Sequence, residues 1–191
     1  MKIVLPDNEN DITLRQYMSF MKLDVGADDY EDKIFSLFTG IELEDIGGVQ
    51  VKQKNDFLKH IYKALSTEGE FKQTFWLNGV EFGLIPNIDK MLGDHYTDCI
   101  SYSNDVEKSL DRLVAVLYRP IKQKESMFFA NLFNRFRKIK KVVKPCYSLK
   151  KYKGTEKHIE LIQDLPLSIA KGVLGFFLTL SDDLEKTIQA Y

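Results

Sequence analysis

Cysteine and histidine are scarce in this chain, and their scarcity removes several kinds of chemistry at once. The two cysteines, Cys99 and Cys146, stand far apart and outside any CxxC or Cys/His ligand spacing. That argues against a disulfide framework and a zinc module, and it fits an intracellular setting. The three histidines, His60, His95 and His158, are scattered. No glycine-rich phosphate loop precedes a helix with Lys-Ser/Thr, and no GxSxG elbow is present. Long apolar runs are missing too. The opening MKIVLPDNEN turns polar too soon for a signal-peptide core, and Gly172 to Leu180 is broken by glycine and threonine and is too short to span a bilayer. The expectation is a soluble chain with no membrane span.

Net charge is also nearly absent, at −1, but the balance is uneven along the chain. Between Arg119 and Lys157 there are thirteen basic residues against Glu125 and Glu156, a net +11, so the other residues carry −12. An acidic body bears a basic segment. With 191 residues, 44% of them hydrophobic and 12% aromatic, the chain has enough apolar material for a core.

What is present organises itself around Phe71 to Pro120. Two strand-like runs, Phe71 to Leu77 and Val80 to Ile85, flank Asn78-Gly79, the pair suited to the two positive-φ positions of a type I′ turn. This predicts a hairpin whose Phe71, Phe75, Trp76 and Phe82 supply apolar area to bury, closed by Pro86. Asn104 reads as the cap of a helix with Val106, Leu110, Leu113, Val114 and Leu117 on one stripe, stopping at Pro120.

The first third reads as helical. Lys2 to Leu5 reads as a short strand, and Thr13 with Gln16 has capping-box spacing ahead of Leu14, Tyr17, Met18 and Met21. Tyr30 to Phe38 forms a helix with Gly40 as its C-terminal stop, Glu42 to Ile46 a short piece closed by Gly47-Gly48, and Asn55 opens a helix carrying Phe57, Leu58, Ile61, Tyr62 and Leu65 inward. That spacing invites a helix-turn-helix reading. Glu42, Glu44 and Asp45 would then face an anionic groove, so repulsion argues against it. Towards the other end, Thr155 begins a helix broken at Asp164-Leu165-Pro166, and Leu167 begins the last, apolar on several faces. Ser181-Asp182-Asp183 reads as a turn or as the cap of a separate terminal helix. Gly172 and Gly175 each weaken an isolated helix by about 1 kcal/mol relative to alanine, which points to close packing there.

Between these lies Ile121 to Lys144, a basic amphipathic segment with Phe128, Phe129, Leu132, Phe133 and Phe136 at helical spacing among Arg135, Arg137, Lys138, Lys140 and Lys141. Three readings stand side by side. Its aromatic stripe packs on the body or on a second copy while the lysines are solvated; its charge meets nucleic acid or an acidic surface; or it lies on a membrane surface. The candidate contact residues are Phe129, Phe133, Arg135, Phe136, Arg137, Lys138, Lys140, Lys141 and Lys144.

One acid/His/Cys cluster exists, Asp94, His95, Asp98 and Cys99. At i+3 and i+4 these could share a helix face and a metal. The simpler reading is a loop entering a helix with solvated acids, since a stable site takes three or four ligands. Glu81 and Asp89 read as strand and loop acids, not a catalytic pair. No residue set specifies a reaction, so the expectation is a non-enzyme without catalytic, metal or cofactor residues.

Several segments do carry a resemblance: ITLRQY at Ile12 to Tyr17, LNGVEFGLIPNID at Leu77 to Asp89, Tyr96 to Asp98, RLVAVLYRP at Arg112 to Pro120, and Tyr152 to Tyr191 with its Y-x-G-T, D-L-P and F-F elements. In these the chain resembles a group of proteins encoded by tailed bacteriophages, crAss-like phages of gut bacteria and marine phages among them. The likeness spans most of the chain and consists of hydrophobic and turn residues. It implies a virion component or a tail-assembly factor, located in the particle or in the host cytoplasm during assembly, whose partners are other phage structural or assembly proteins or further copies of itself. A tail-assembly chaperone absent from the finished particle is one alternative, and nucleic-acid binding through 119–157 is another. The likeness brings no catalytic residues, and it departs between Pro120 and Tyr152, where the usual connection is shorter and less basic. The expected architecture is α+β, mainly α. Helices pack around a central β-hairpin near 71–85 in a body formed by 1–118 and 152–191, and 119–151 is a basic aromatic helical insert.

Overall fold

The computed structural model describes residues 10–85, 93–124 and 147–189. In chain order these form α1 (Leu14–Phe20), α2 (Tyr30–Thr39), a 3-10 turn (Leu43–Gly48) and α3 (Val51–Ser66). Then come β1 (Thr74–Leu77), β2 (Val80–Leu84), α4 (Gly93–Ser103), α5 (Val106–Leu117), β3 (Tyr118–Lys124), β4 (Tyr147–Leu149), α6 (Glu156–Ile162) and α7 (Leu167–Gln189). The fold is α+β, mainly α, as expected. The expected strand at Lys2 to Leu5, the closure at Pro86 and Asp89 lie outside the described residues.

The hairpin forms at the predicted turn. Asn78 and Gly79 take φ of 47° and 76°, and Leu77 pairs with Val80 across them. It is half of a larger object, an antiparallel sheet in the order β1-β2-β3-β4. Phe75 and Phe82 stack at 5.5 Å and are buried, whereas Trp76, one residue along the pleat, is 67% exposed. Phe71 is partly exposed outside the strand, stacked on Phe176 at 4.5 Å.

The first correction concerns Leu117 onward. The helix was expected to stop at Pro120 with another beginning at Ile121, but α5 ends at Leu117 and Tyr118–Lys124 runs as β3 between β2 and β4. Proline drives the preceding residue out of the helical region, so Arg119 is extended and the helix cannot pass it. Pro120 is tolerated inside the sheet for a definite reason. Ile85 N–H donates to Leu117 C=O, which makes Gly83 and Arg119 the next bonded pair and turns the Pro120 backbone toward β4. There its carbonyl accepts from Lys150 N–H at 3.0 Å, and only its absent donor is lost. β4 is three residues long, and Tyr147 anchors it. Its ring lies over Gly83, where a Cβ would sit 2.6 Å from it, and its hydroxyl donates to Leu84 C=O at 2.8 Å. Both ends of the expected 119–151 insert therefore belong to the body's sheet.

The main core lies between this sheet and α1, α5, α6 and α7. It gathers Leu14, Met18, Phe82, Tyr118, Ile162 and Val173, with Leu113 to Leu117 buried on every side of the last turn of α5. Each such side chain contributes about 1.5–3 kcal/mol when fully removed from water. A second cluster joins α2, the 3-10 turn and α3 through Ile34, Phe35, Ile46, Phe57 and Ile61, with Phe35 edge-on to Phe57 at 5.0 Å. Ile12, Ala64 and Leu167 connect α3 to the start of α7.

The helix ends were largely legible. Thr13 and Gln16 form the reciprocal capping box, and Gly40 stops α2 with φ of 72°. The Asp164-Leu165-Pro166 break does more than end α6. It leaves the carbonyls of Gln163 and Leu165 to accept from Arg15 and Leu14 N–H at 2.7 and 2.8 Å, so the unpaired ends of two helices satisfy each other. Three boundaries differ. Asp105, not Asn104, caps α5 by accepting from Lys108 N–H; α3 begins at Val51 rather than Asn55, with Tyr62 exposed; and α7 continues through Ser181-Asp182-Asp183 as one helix to Gln189. Gly172 packs as expected against Glu70 and Phe71, but Gly175 faces open space.

Candidate functional site

The nine predicted contact residues, Phe129, Phe133, Arg135, Phe136, Arg137, Lys138, Lys140, Lys141 and Lys144, lie outside the described residues. The strands at the segment's two ends are described, and their pairing creates a feature that the linear pattern hid. Antiparallel β3 and β4 set Arg119 and Pro120 beside Lys150. Past β4 the chain continues through Lys151, Tyr152, Lys153 and Gly154 without regular structure, turning at Gly154 with φ of 82° before α6. The result is a solvent-open recess of about 220 Å³ lined by Ala115, Arg119, Pro120, Lys150 to Gly154 and His158.

Arg119 is half-buried at its inner wall. Its Nε is shielded from solvent and has no hydrogen-bond partner among the described residues. Burial lowers the guanidinium from the usual arginine range, opposed by the neighbouring Tyr152. The ion pairs among the described residues join Arg15, Lys33, Lys54, Lys72 and Lys108 to acids, and none reaches Arg119.

Beside the recess sits the acid/His/Cys cluster, in which His95 and Asp98 have structural partners and Cys99 is buried. His95 is buried, its ring stacks on Tyr152 at 4.1 Å, and its Nε2 lies 2.8 Å from Val116 C=O. A carbonyl only accepts, so that nitrogen carries the proton. Burial holds the imidazole below its ordinary pKa, partly offset by the Val116 bond. Tyr152 donates its hydroxyl to Asp98, and burial followed by that bond pushes the phenol well up. Cys99 is in the core with its thiol pushed up by burial to about 11, which makes it a poor nucleophile. Asp94 is exposed on the first turn of α4. Among the described residues no group of three or more metal-ligating side chains comes together.

Sequence reasoning missed the recess because it carried the preceding helix to Pro120 and read Ile121 to Lys144 as a basic amphipathic segment at helical spacing, leaving no strand between them. Pro120 behind Arg119, which disfavours the helical conformation there, was the available signal against a helix. The remaining exposed apolar side chains include Trp76 on edge strand β1, and Tyr96 and Ile100 one turn apart on α4. Among the described residues no helix is long and apolar enough to cross a membrane. Comparisons with family models, curated proteins and solved structures found no match to this chain.

Proposed function

We propose that this chain is a non-enzymatic component of a tailed-phage particle or of its head–tail assembly, acting through contacts with other phage proteins. The observation that carries the reading is Trp76. It stands 67% exposed on the edge strand of the sheet while its hairpin neighbours Phe75 and Phe82 are buried. A tryptophan so placed offers a large, rigid anchor for a protein partner, and β1 offers backbone groups to a further strand. The sequence resemblance to tailed-phage proteins supplies the class of partner.

Mass spectrometry of purified particles tests the reading. Recovery at stoichiometric level supports a virion component, and recovery in infected-cell lysate complexes but not in particles supports an assembly chaperone. Absence from both overturns it. In the first two cases, Trp76→Glu reduces incorporation or complex formation while the isolated chain keeps its melting temperature.

A second reading, nucleic-acid contact through 119–157, is favoured by the meeting of Arg119, Lys150, Lys151 and Lys153 around one recess. A gel shift at low and moderate salt tests it. Failure to bind at low salt, where counterion release favours binding most, removes it.

A further inference from the structure

We propose that the recess between β3 and the Lys150–Gly154 segment is a phosphate-binding site with Arg119 as its anchor. The argument begins with an imbalance. Arg119 stays charged at neutral pH and is half-buried, yet its shielded Nε meets no acceptor and none of the ion pairs among the described residues includes it. A guanidinium N–H shielded from water without an acceptor is costly, and an anion hydrogen-bonded in place would satisfy it.

The surroundings define that anion. Lys150, Lys151 and Lys153 line the same recess and are exposed, so their flexible ammonium groups can close on a ligand held by Arg119. Two acids are placed close by. Glu156 lies next to Gly154, where a Cβ would come within 2.7 Å of its Oε2. Asp98 is the second nearby acid, and it already accepts the hydroxyl of lining Tyr152. Four cations against these two carboxylates still favour a ligand with more than one negative charge or several acceptor oxygens, which a phosphate group provides and a lone carboxylate does not. Size sets the other limit. The recess is shallow and open to solvent, so it can hold one small group against Arg119 and cannot enclose a whole drug-sized ligand. The site therefore grips a phosphate group, and the rest of any larger molecule stays outside.

Both free phosphate and the backbone of a nucleic acid carry this chemistry, and the test separates them. Titration calorimetry of the full chain with sodium phosphate, at ionic strength held constant with chloride, is expected to show saturable binding with a Kd of about 1 mM or tighter. Arg119→Gln weakens it about tenfold or more, the loss expected for one charge-assisted hydrogen bond, and Arg119→Lys restores part of it. Replacing exposed Lys150, Lys151 and Lys153 together by alanine also weakens binding while leaving the melting temperature in chloride unchanged. That keeps the proposal testable if Arg119→Gln fails to fold. No saturable binding up to about 10 mM phosphate, or binding that neither set of changes affects, overturns the proposal. An acidic peptide bound as tightly as phosphate also overturns it, in favour of protein carboxylates.

The source of the phosphate rests on the nucleic-acid reading, whereas the site itself does not. If phosphate binds and a short single-stranded oligonucleotide does not compete, the site stands and the nucleic-acid reading falls. If the oligonucleotide competes and Arg119→Gln weakens both, the phosphate belongs to a nucleic-acid backbone.

Discussion

Gly172 offers a direct test of how the body is held together. It lies on α7 where the segment between α3 and β1 crosses, and the two backbones approach so closely that an added Cβ would lie 2.3 Å from Glu70 C and O and 2.5 Å from Phe71 N. On the other side Gly69 lies against Gly172, where its own Cβ would come within 2.1 Å of Gly172 N. The crossing is fixed by Glu70 N–H donating to Ser168 C=O at 3.0 Å and by the Lys171 ammonium donating to the carbonyls of Leu65 and Thr67. Backbone cannot step aside as a flexible side chain can. Gly172→Ala must therefore part the crossing, at the roughly 1–3 kcal/mol typical of overpacking, against a helix-propensity gain of about 1 kcal/mol.

Gly175, on the same helix and facing open space, is the internal control. Gly175→Ala receives the same propensity gain with nothing to displace, so it should stabilise by up to about 1 kcal/mol. The two substitutions are chemically identical, so their difference isolates the crossing and should be about 1–3 kcal/mol. Urea unfolding followed by far-UV circular dichroism measures both. The midpoint should fall for Gly172→Ala and rise for Gly175→Ala at unchanged m-value. If both variants shift the midpoint upward equally, the close approach contributes nothing and the packing account of α7 is wrong.

Burial holds His95 neutral below its ordinary pKa of 6.5; the unfolded chain then binds the proton that the native chain refuses, so stability should fall as pH drops through about 6.5. An NMR titration midpoint for His95 at or above 6.5 would refute this. In a Cys146→Ser chain, Cys99 should resist a thiol reagent at mildly alkaline pH until the protein unfolds, because its thiol titrates near 11; rapid labelling of native protein would contradict the burial. Tyr118 donates its hydroxyl to Lys72 C=O at 2.5 Å from inside the core, so Tyr118→Phe should cost about 1 kcal/mol in urea unfolding, and no change would mean that the bond is not made in solution.

The local grammar of the chain was legible without coordinates. The Asn78-Gly79 turn, the Thr13–Gln16 capping box, the Gly40 stop and the break at Pro166 each depend on φ preferences or hydrogen bonds spanning a few residues. The apolar periodicity of α2, α5 and α7 was likewise local, since burial selects one face of a helix whatever that face meets. Errors of boundary arose where neighbouring residues compete for one role, as Asn104 and Asp105 do for the cap of α5.

Tertiary structure decided the remainder because it joined residues that no local pattern relates. β3 became a strand because β2 and β4 satisfy its backbone, and Tyr147 reaches Leu84 across Gly83. The same pairing set Arg119 beside Lys150 and left its shielded Nε without an acceptor among the described residues. It also resolved the ligand-like string of His95, Asp98 and Cys99 into a histidine bonded to Val116, an aspartate bonded to Tyr152 and a thiol buried in the core. Sequence alone dictated which segments had to bury an apolar face. Which polar groups met, and which went unsatisfied, depended on strand pairing and on desolvation, both properties of the assembled core.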